Sequence, residues 1–281
     1  MRERYAKTPG PWAEGHGSGR GSLGGSEAAA AVGASPWMSP FALWCRKTGR
    51  LPPKEESEGM RLGRDLEDYV ARRWCQVTGK KVRRQGVVRR NPRYPWAHGH
   101  IDRWVCGEQA GLECKTTTLP LDGEALAGTF PRRYYHQCLH YLALTGAQRW
   151  YLGVLVLGRG FYTFVLERDE EEIAALMKAE SAFWKLVERD CPPPVDGSQV
   201  TAQALAVLYP QGEACAVLEG MEEQLEEYVR LKGERRALDE RITLLENQCK
   251  AALKGARRGV CEGFSVTWSG ETRRVFRVRR C

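Results

Sequence analysis

Between His98 and Lys115 the chain reads HGHIDRWVCGEQAGLECK, two short runs of mixed apolar and polar residues on either side of a glycine-bounded turn. That pattern predicts a β-hairpin. Asp102 stands on the first run, with Glu113 and Lys115 on the second. Side chains alternate along a strand, so Glu113 and Lys115 project to one face and Cys114 to the other. Two carboxylates and an ammonium can therefore meet at one point. Carboxylate oxygens completed by waters and a substrate phosphate are what Mg²⁺ prefers, and a nearby Lys can orient a water or offset charge developing on phosphorus. His98 and His100, at alternate positions just before Asp102, leave Zn²⁺ or Mn²⁺ open as other ions for the same acids. A solvated hairpin with a surface ion pair uses the same residue types. Trp104, Val105 and Leu112 argue against it, because they make the strands half apolar and so call for packing.

The flanking segments must hold this hairpin in place. MRLGRDLEDYVARRWCQVTG has apolar positions at Leu62, Leu66, Tyr69, Val70, Trp74 and Val77, close to a helical period, with Glu67 along the edge of the stripe. Farther upstream, GGSEAAAAVGASPW predicts a helix capped by Ser26 or Glu27, built on the alanine run and ended by Gly33. Arg20, Gly24, Gly25 and Ser26 offer a second reading of that stretch as a phosphate site, since close backbone approach needs glycine and a helix start attracts anions. SPFALWCRKTGR reads as a helix with Phe41, Leu43 and Trp44 on its apolar side, Pro40 near its start and Gly49 beyond its end.

Arg83, Arg84, Arg89, Arg90 and Arg93 lie among Val82, Val87, Val88, Tyr94 and Trp96 in a basic, β-rich approach to the hairpin. This mixture suits phosphates and unstacked bases, and equally a strand edge protected by charge. Beyond Lys115, residues 119 to 132 are expected to form a loop over the site. FPRRYYHQCLHYLALTG predicts a helix with Tyr134, Cys138, Tyr141 and Leu142 on one face, and Gln137 one turn from Tyr141. RWYLGVLVLG and GFYTFVLERD predict two strands, the first apolar enough to lie inside the sheet. DEEEIAALMKAESAFWKLVERD follows as an acidic amphipathic helix.

Composition sets outer limits. The 281 residues suffice for one large domain or a core with an appendage, and the net charge of +8 favours a polyanionic partner. No run of eighteen apolar residues exists, so no membrane span is expected, and the glycine-rich start lacks the apolar stretch of a secretory signal. The ten cysteines are scattered without a CxxC pair. That spacing favours reduced thiols over a disulfide framework, zinc site or iron–sulfur cluster. Residues 1–20 are expected to be a flexible N-terminus, 21–198 the core, and 199–281 an appendage of helix and basic tail. Within that appendage Tyr228, Leu231, Leu238, Ile242, Leu245, Cys249 and Ala252 keep a three-and-four spacing interrupted by Arg235. A helical hairpin or a coiled-coil arm fits this spacing, and the hairpin is preferred. GFSVTWSGETRRVFRVRRC alternates like a short β-hairpin ending in an Arg cluster.

Taken in order, GGSE…SPW, the helix carrying Glu67, the strand carrying Asp102, GLECKTTT and the Q...Y of Gln137 and Tyr141 resemble the YqaJ-type viral recombinases. These are PD-(D/E)xK nucleases related to lambda exonuclease. The resemblance runs over residues 20 to 198. It implies an α/β fold with a mixed central sheet flanked by helices, and a restriction-endonuclease-like core. It also implies a deoxyribonuclease in which Asp102, Glu113 and Glu67 hold Mg²⁺ (or Mn²⁺), Lys115 positions or activates water, and Gln137 supports it. Arg20 and Ser26 fall where the family holds the 5′-terminal phosphate of DNA, and Tyr141 would lie against the substrate. Further implications are 5′-to-3′ exonuclease action on linear double-stranded DNA, a trimeric ring, and a single-strand annealing partner of the RecT or Red beta kind. The setting would be phage recombination in the cytoplasm of a bacterial host. Two features depart from the family pattern. Glu27 replaces the commoner Asp, and Arg103 replaces the Gly after the metal-binding Asp, where a long side chain is expected to alter access to the ion. A structure-specific endonuclease, a RecB-like repair nuclease with or without an iron–sulfur cluster, and an inactive DNA-binding protein remain as alternatives.

Overall fold

The computed structural model describes residues 21–52, 55–210, 212, 215–270, 272 and 274–281. Arg20 and the expected loose N-terminus lie outside the described residues. Two compact units divide the chain, Met1–Gln211 and Gly212–Cys281.

The first unit is built on a five-stranded mixed sheet in the order β2-β4-β5-β6-β7, from β2 (Val82–Arg84), β4 (Arg103–Val105), β5 (Ala110–Thr117), β6 (Arg149–Val156) and β7 (Gly160–Glu167). Only β5 and β6 run parallel; β2 with β4, β4 with β5 and β6 with β7 are antiparallel. The expected hairpin is β4–β5, with Arg103 opposite Leu112 and Trp104 opposite Gly111. As its composition implied, β6 is an interior strand.

Helices cover both faces. On one side α3 (Glu58–Thr78) buries Val70, Ala71 and Trp74, and Trp74 packs with Val105, Ala110, Leu112 and Tyr151. Ser57 caps it through the Met60 N–H, and Gly79 at φ 72° ends it. Leu62, Tyr69 and Val77 of the predicted stripe are exposed, because the sheet covers a narrower face of the helix than the apolar residues span. On the other side lie α5 (Arg132–Thr145) and α6 (Glu170–Glu188), whose Cys138, Leu139, Leu142, Ile173 and Met177 pack with Trp150 and Leu166. Asp169 caps α6, with three glutamates in its first turn.

The segment expected as a loop, 119 to 132, contains the short helix α4 (Gly123–Leu126), capped by Asp122. Leu121 and Ala125 are sunk against Leu152, Val154 and Phe164, so the segment is a packed part of the sheet's cover.

At the start of the unit, β1 (Leu23–Gly24) pairs in parallel with β3 (Ala97–His98). A 3₁₀ turn at Gly25–Glu27 then leads into α1 (Ala28–Ala31). Neither Ser26 nor Glu27 caps the alanine helix with its side chain; instead the Glu27 carboxylate accepts the Gly24 N–H at 2.9 Å and the Lys47 ammonium at 2.6 Å. α2 (Pro40–Lys47) starts at Ser39, whose Oγ accepts the Ala42 N–H, and buries Phe41, Leu43 and Trp44 as its sequence required. α7 (Gln199–Leu208) packs on α2: Thr201 Oγ1 donates to Ser39 Oγ at 2.7 Å, and Ala204 joins the cluster of Phe41 and Trp44. That packing carries the first unit through Gln211, past the boundary expected at 198.

The second unit holds α8 (Glu222–Leu253) and an antiparallel sheet of β8 (Arg258–Cys261), β9 (Phe264–Ser269) and β10 (Val275–Arg280). The preferred helical hairpin is corrected to one continuous helix of 32 residues, since nothing between Glu222 and Leu253 breaks the hydrogen-bond ladder. The tail gains a third strand, β8, ahead of the expected hairpin. No helix among the described residues is long and apolar enough to cross a membrane, and the ten cysteines form no disulfide.

Candidate active site

Strand alternation decides which residues meet. Leu112 and Cys114 turn toward α3, while Glu113 and Lys115 turn toward α5. Lys115 Nζ lies 2.6 Å from Glu113 Oε1, and Gln137 on α5 donates to the same oxygen at 2.6 Å. Gln137 also donates to the Tyr141 hydroxyl at 2.9 Å, one helical turn along. Asp102, expected on the hairpin's first strand, stands at a bend one residue before β4; from there its Oδ2 accepts the Cys114 N–H at 2.8 Å, which fixes that carboxylate beside Glu113. Asp102, Glu113, Lys115, Gln137 and Tyr141 are thus one connected group.

Its electrostatics are strained in a consistent direction. Burial, followed by the charge of Glu113, lifts Asp102 well above the ordinary carboxylate range, and Glu67 adds to the effect. Burial lifts Glu113 too, against the opposing pull of Lys115. Lys115 is drawn down by burial, but Glu113 and Asp102 outweigh this and hold its ammonium charged above its usual range. Burial and Glu113 keep the Tyr141 phenol protonated. Glu113 Oε1 is doubly engaged, whereas Glu113 Oε2 is buried with no hydrogen-bond partner among the described residues. An orphaned carboxylate oxygen beside a second crowded acid is a hard-oxygen donor pair suited to a divalent cation.

Glu67 arrives from α3 and does not close directly on the pair. Its Oε1 lies 2.5 Å from Nη1 of Arg103, a side chain 5% exposed that also holds Asp68. The Arg that departs from the family pattern is therefore a clamp between hairpin and helix. Among the described residues, no three His, Cys, Asp or Glu side chains form a group that could hold a metal ion as they stand.

Of the His pair, His98 is committed elsewhere. His98 is buried, with Nδ1 2.9 Å from Ser22 Oγ. Burial, then the nearby cations, lower its pKa to about 4. The His100 ring meets that of His98 edge-on at 5.5 Å. Ser26 is exposed in the 3₁₀ turn. Its neighbour Gly25 packs so tightly on Tyr141 that an added Cβ would lie 2.5 Å from the ring, which brings the opening segment against the same helix as Gln137.

Sequence reasoning missed three participants. Asp68 shares Arg103 with Glu67, and nothing in its spacing marks it. His140 and Glu180, both fully buried, meet at 2.9 Å, and His140 Nε2 also lies 3.0 Å from the His98 carbonyl. A His and a Glu on the apolar faces of successive helices were the available signal for that pair.

Fold and site together define an α/β protein with a mixed sheet, whose interior strand presents an acid and a lysine beside a second acid. Residues 12–148 match the YqaJ-like viral recombinase domain. Over 256 residues, 89% of this chain, the sequence is 35% identical to the uncharacterized protein YqaJ of Bacillus subtilis (strain 168), spanning 80% of it. The chain belongs to the YqaJ-like viral recombinase family. Among solved structures it aligns with an alkaline exonuclease from Laribacter hongkongensis at 21% identity and TM-score 0.47, over 60% of this chain and 89% of that one. It also aligns with a phage related exonuclease from Haemophilus somnus 129PT at 14% identity and TM-score 0.49, over 60% and 94%.

Proposed function

We propose that this protein is a divalent-cation-dependent deoxyribonuclease, acting as a 5′-to-3′ exonuclease on linear double-stranded DNA in phage-type recombination. The observation that carries this reading is the convergence of Asp102, Glu113, Lys115 and Gln137 on one buried point, with Glu113 Oε2 left unpaired there. Mg²⁺, or Mn²⁺ in its place, would be held by Asp102 and Glu113 with Glu67 adjacent, and would supply Lewis acidity at the phosphodiester and its leaving oxygen. Lys115, kept as an ammonium, donates to the attacking water and offsets charge on the phosphoryl oxygens; it does not serve as the proton acceptor in that state. Gln137 anchors Glu113 and, through Tyr141, ties the acids to the turn carrying Ser26. Ser26, with Arg20, would take the 5′-phosphate and so set the direction of degradation. A trimeric ring and a single-strand annealing protein as partner complete the reading drawn from the family. Because Asp102 and Glu113 hold their protons more tightly than free carboxylic acids, cation binding competes with protonation, and activity should climb as pH rises through their raised pKa values.

The test is to incubate end-labelled linear and circular duplexes, bearing 5′-phosphate or 5′-hydroxyl ends, with Mg²⁺, Mn²⁺ or EDTA. Linear DNA should shorten from phosphorylated 5′ ends in Mg²⁺ and survive EDTA. Glu113→Gln and Lys115→Ala should each lower the rate by about 100-fold or more while retaining the native circular dichroism spectrum. Equal degradation by either variant and by wild type would refute the catalytic assignment, and cleavage of circles would replace exonuclease with endonuclease.

A further inference from the structure

The helix α8 buries none of its side chains, yet it carries an apolar seam broken at one position. Tyr228, Leu231, Leu238, Ile242 and Leu245 are all exposed, Leu238 at 63%. Their intervals of three and four residues are those of the contact positions in a two-stranded coil. Arg235 is the one contact position between Tyr228 and Leu245 that is not apolar. We propose that this seam is closed by α8 of a second copy of the chain, running antiparallel, with Arg235 of each copy opposite Leu238 of the other.

Charge complementarity selects that occupant and that direction. In a parallel, in-register pair Arg235 would meet Arg235 in the seam, and Glu234 would face Asp239 across its edge. Like charges at both places cost stability. In the antiparallel pair Tyr228 lies opposite Leu245 and Leu231 opposite Ile242, so the apolar layers stay matched. At the seam's edges Glu234 then faces Arg241, and Lys232 faces Asp239. Symmetry makes each of these contacts twice, four attractive pairs without a repulsive one. The intrachain pairing points the same way. Arg230, Arg235 and Arg236 already hold Glu234, Asp239 and Glu240 one turn along the helix. Lys232 and Arg241 hold no carboxylate among the described residues, and these are the two cations to which the antiparallel register gives partners. The contact is self-complementary and closes at two helices.

Sedimentation equilibrium on the full-length chain at several concentrations tests the pairing, using wild type, Glu234→Lys, Arg241→Glu, the double variant, and an equimolar mixture of the two single variants. Both positions are solvent-exposed on a helix, and far-ultraviolet circular dichroism confirms that each variant is folded. Wild type should reach twice the mass left by either single variant. The double variant and the mixture should both return to the wild-type mass, because each restores opposite charges between positions 234 and 241. The same mass in all five samples would overturn the proposal and leave α8 to another partner. A stronger association in Glu234→Lys would overturn the antiparallel direction, because that change removes the Glu234–Asp239 clash of a parallel pair.

Discussion

Arg103 shows how a single side chain can hold two elements in register. Its guanidinium is sunk between hairpin and helix and is tolerated there because Glu67 and Asp68 meet its charge. Arg103→Met keeps most of the apolar stem and removes the charge. Glu67 and Asp68 are partly exposed and regain water, so the expected loss is only about 1–2 kcal/mol in urea unfolding with EDTA present. Added Mg²⁺ should recover part of it if Glu67, once released, turns to the proposed cation. His98 supports a pH prediction of definite sign. Its folded pKa of about 4 lies below the ordinary 6.5, so the unfolded chain binds the proton more readily between those values. The stability associated with neutral His98 is complete above pH 6.5 and is lost as pH falls toward 4. His98→Asn removes this titration along with the ring's packing and its Ser22 contact. The gap in melting temperature between wild type and His98→Asn should therefore be widest near pH 7.5 and narrow toward pH 4.5.

Close approach between elements is what aligns the acids. At Gly111 an added Cβ would lie 2.3 Å from the Trp150 ring on the neighbouring strand, so the ring packs directly over the β5 backbone two residues before Glu113. Gly111→Ala should cost about 1–3 kcal/mol by overpacking, read as a lower urea midpoint with an altered near-ultraviolet tryptophan band. What could be read from the sequence follows from the same geometry. Glu113 and Lys115 were legible because strand alternation is local, Gln137 with Tyr141 because one helical turn is local too, and Asp102 because a tight hairpin brings the residue just before its first strand beside the second. The Arg103 clamp and the His140–Glu180 pair were not, since each joins residues 35 or more apart in the chain and no periodicity encodes which faces oppose. The seam of α8 was visible, but a three-and-four spacing states only that a partner helix exists. It does not say whether that partner is the next segment of the same chain, and the preferred hairpin followed from that ambiguity.

At the scale of the whole molecule, the two compact units differ sharply in how much they bury. The first owns every buried residue of the described chain, while none of the described residues of the second is buried. Burial of apolar surface is the main source of cooperative stability, so the second unit should open under milder conditions than the first. Two probes separate them. Of the nine tryptophans only Trp268 lies in the second unit, so fluorescence reports chiefly on the first, whereas the 32 residues of α8 weigh heavily in far-ultraviolet circular dichroism. A urea titration followed by both signals should give transitions that do not coincide, with helicity falling before fluorescence. Brief chymotrypsin treatment should cut first at Leu218, exposed beyond the last helix of the first unit; the bond after the exposed Tyr209 is protected because Pro210 follows it. The resulting N-terminal fragment retains Glu67, Asp102, Glu113, Lys115 and Gln137 and should still degrade linear duplex. Coincident transitions, or a fragment that unfolds on release, would mean that the second unit stabilises the first and that the two fold as one.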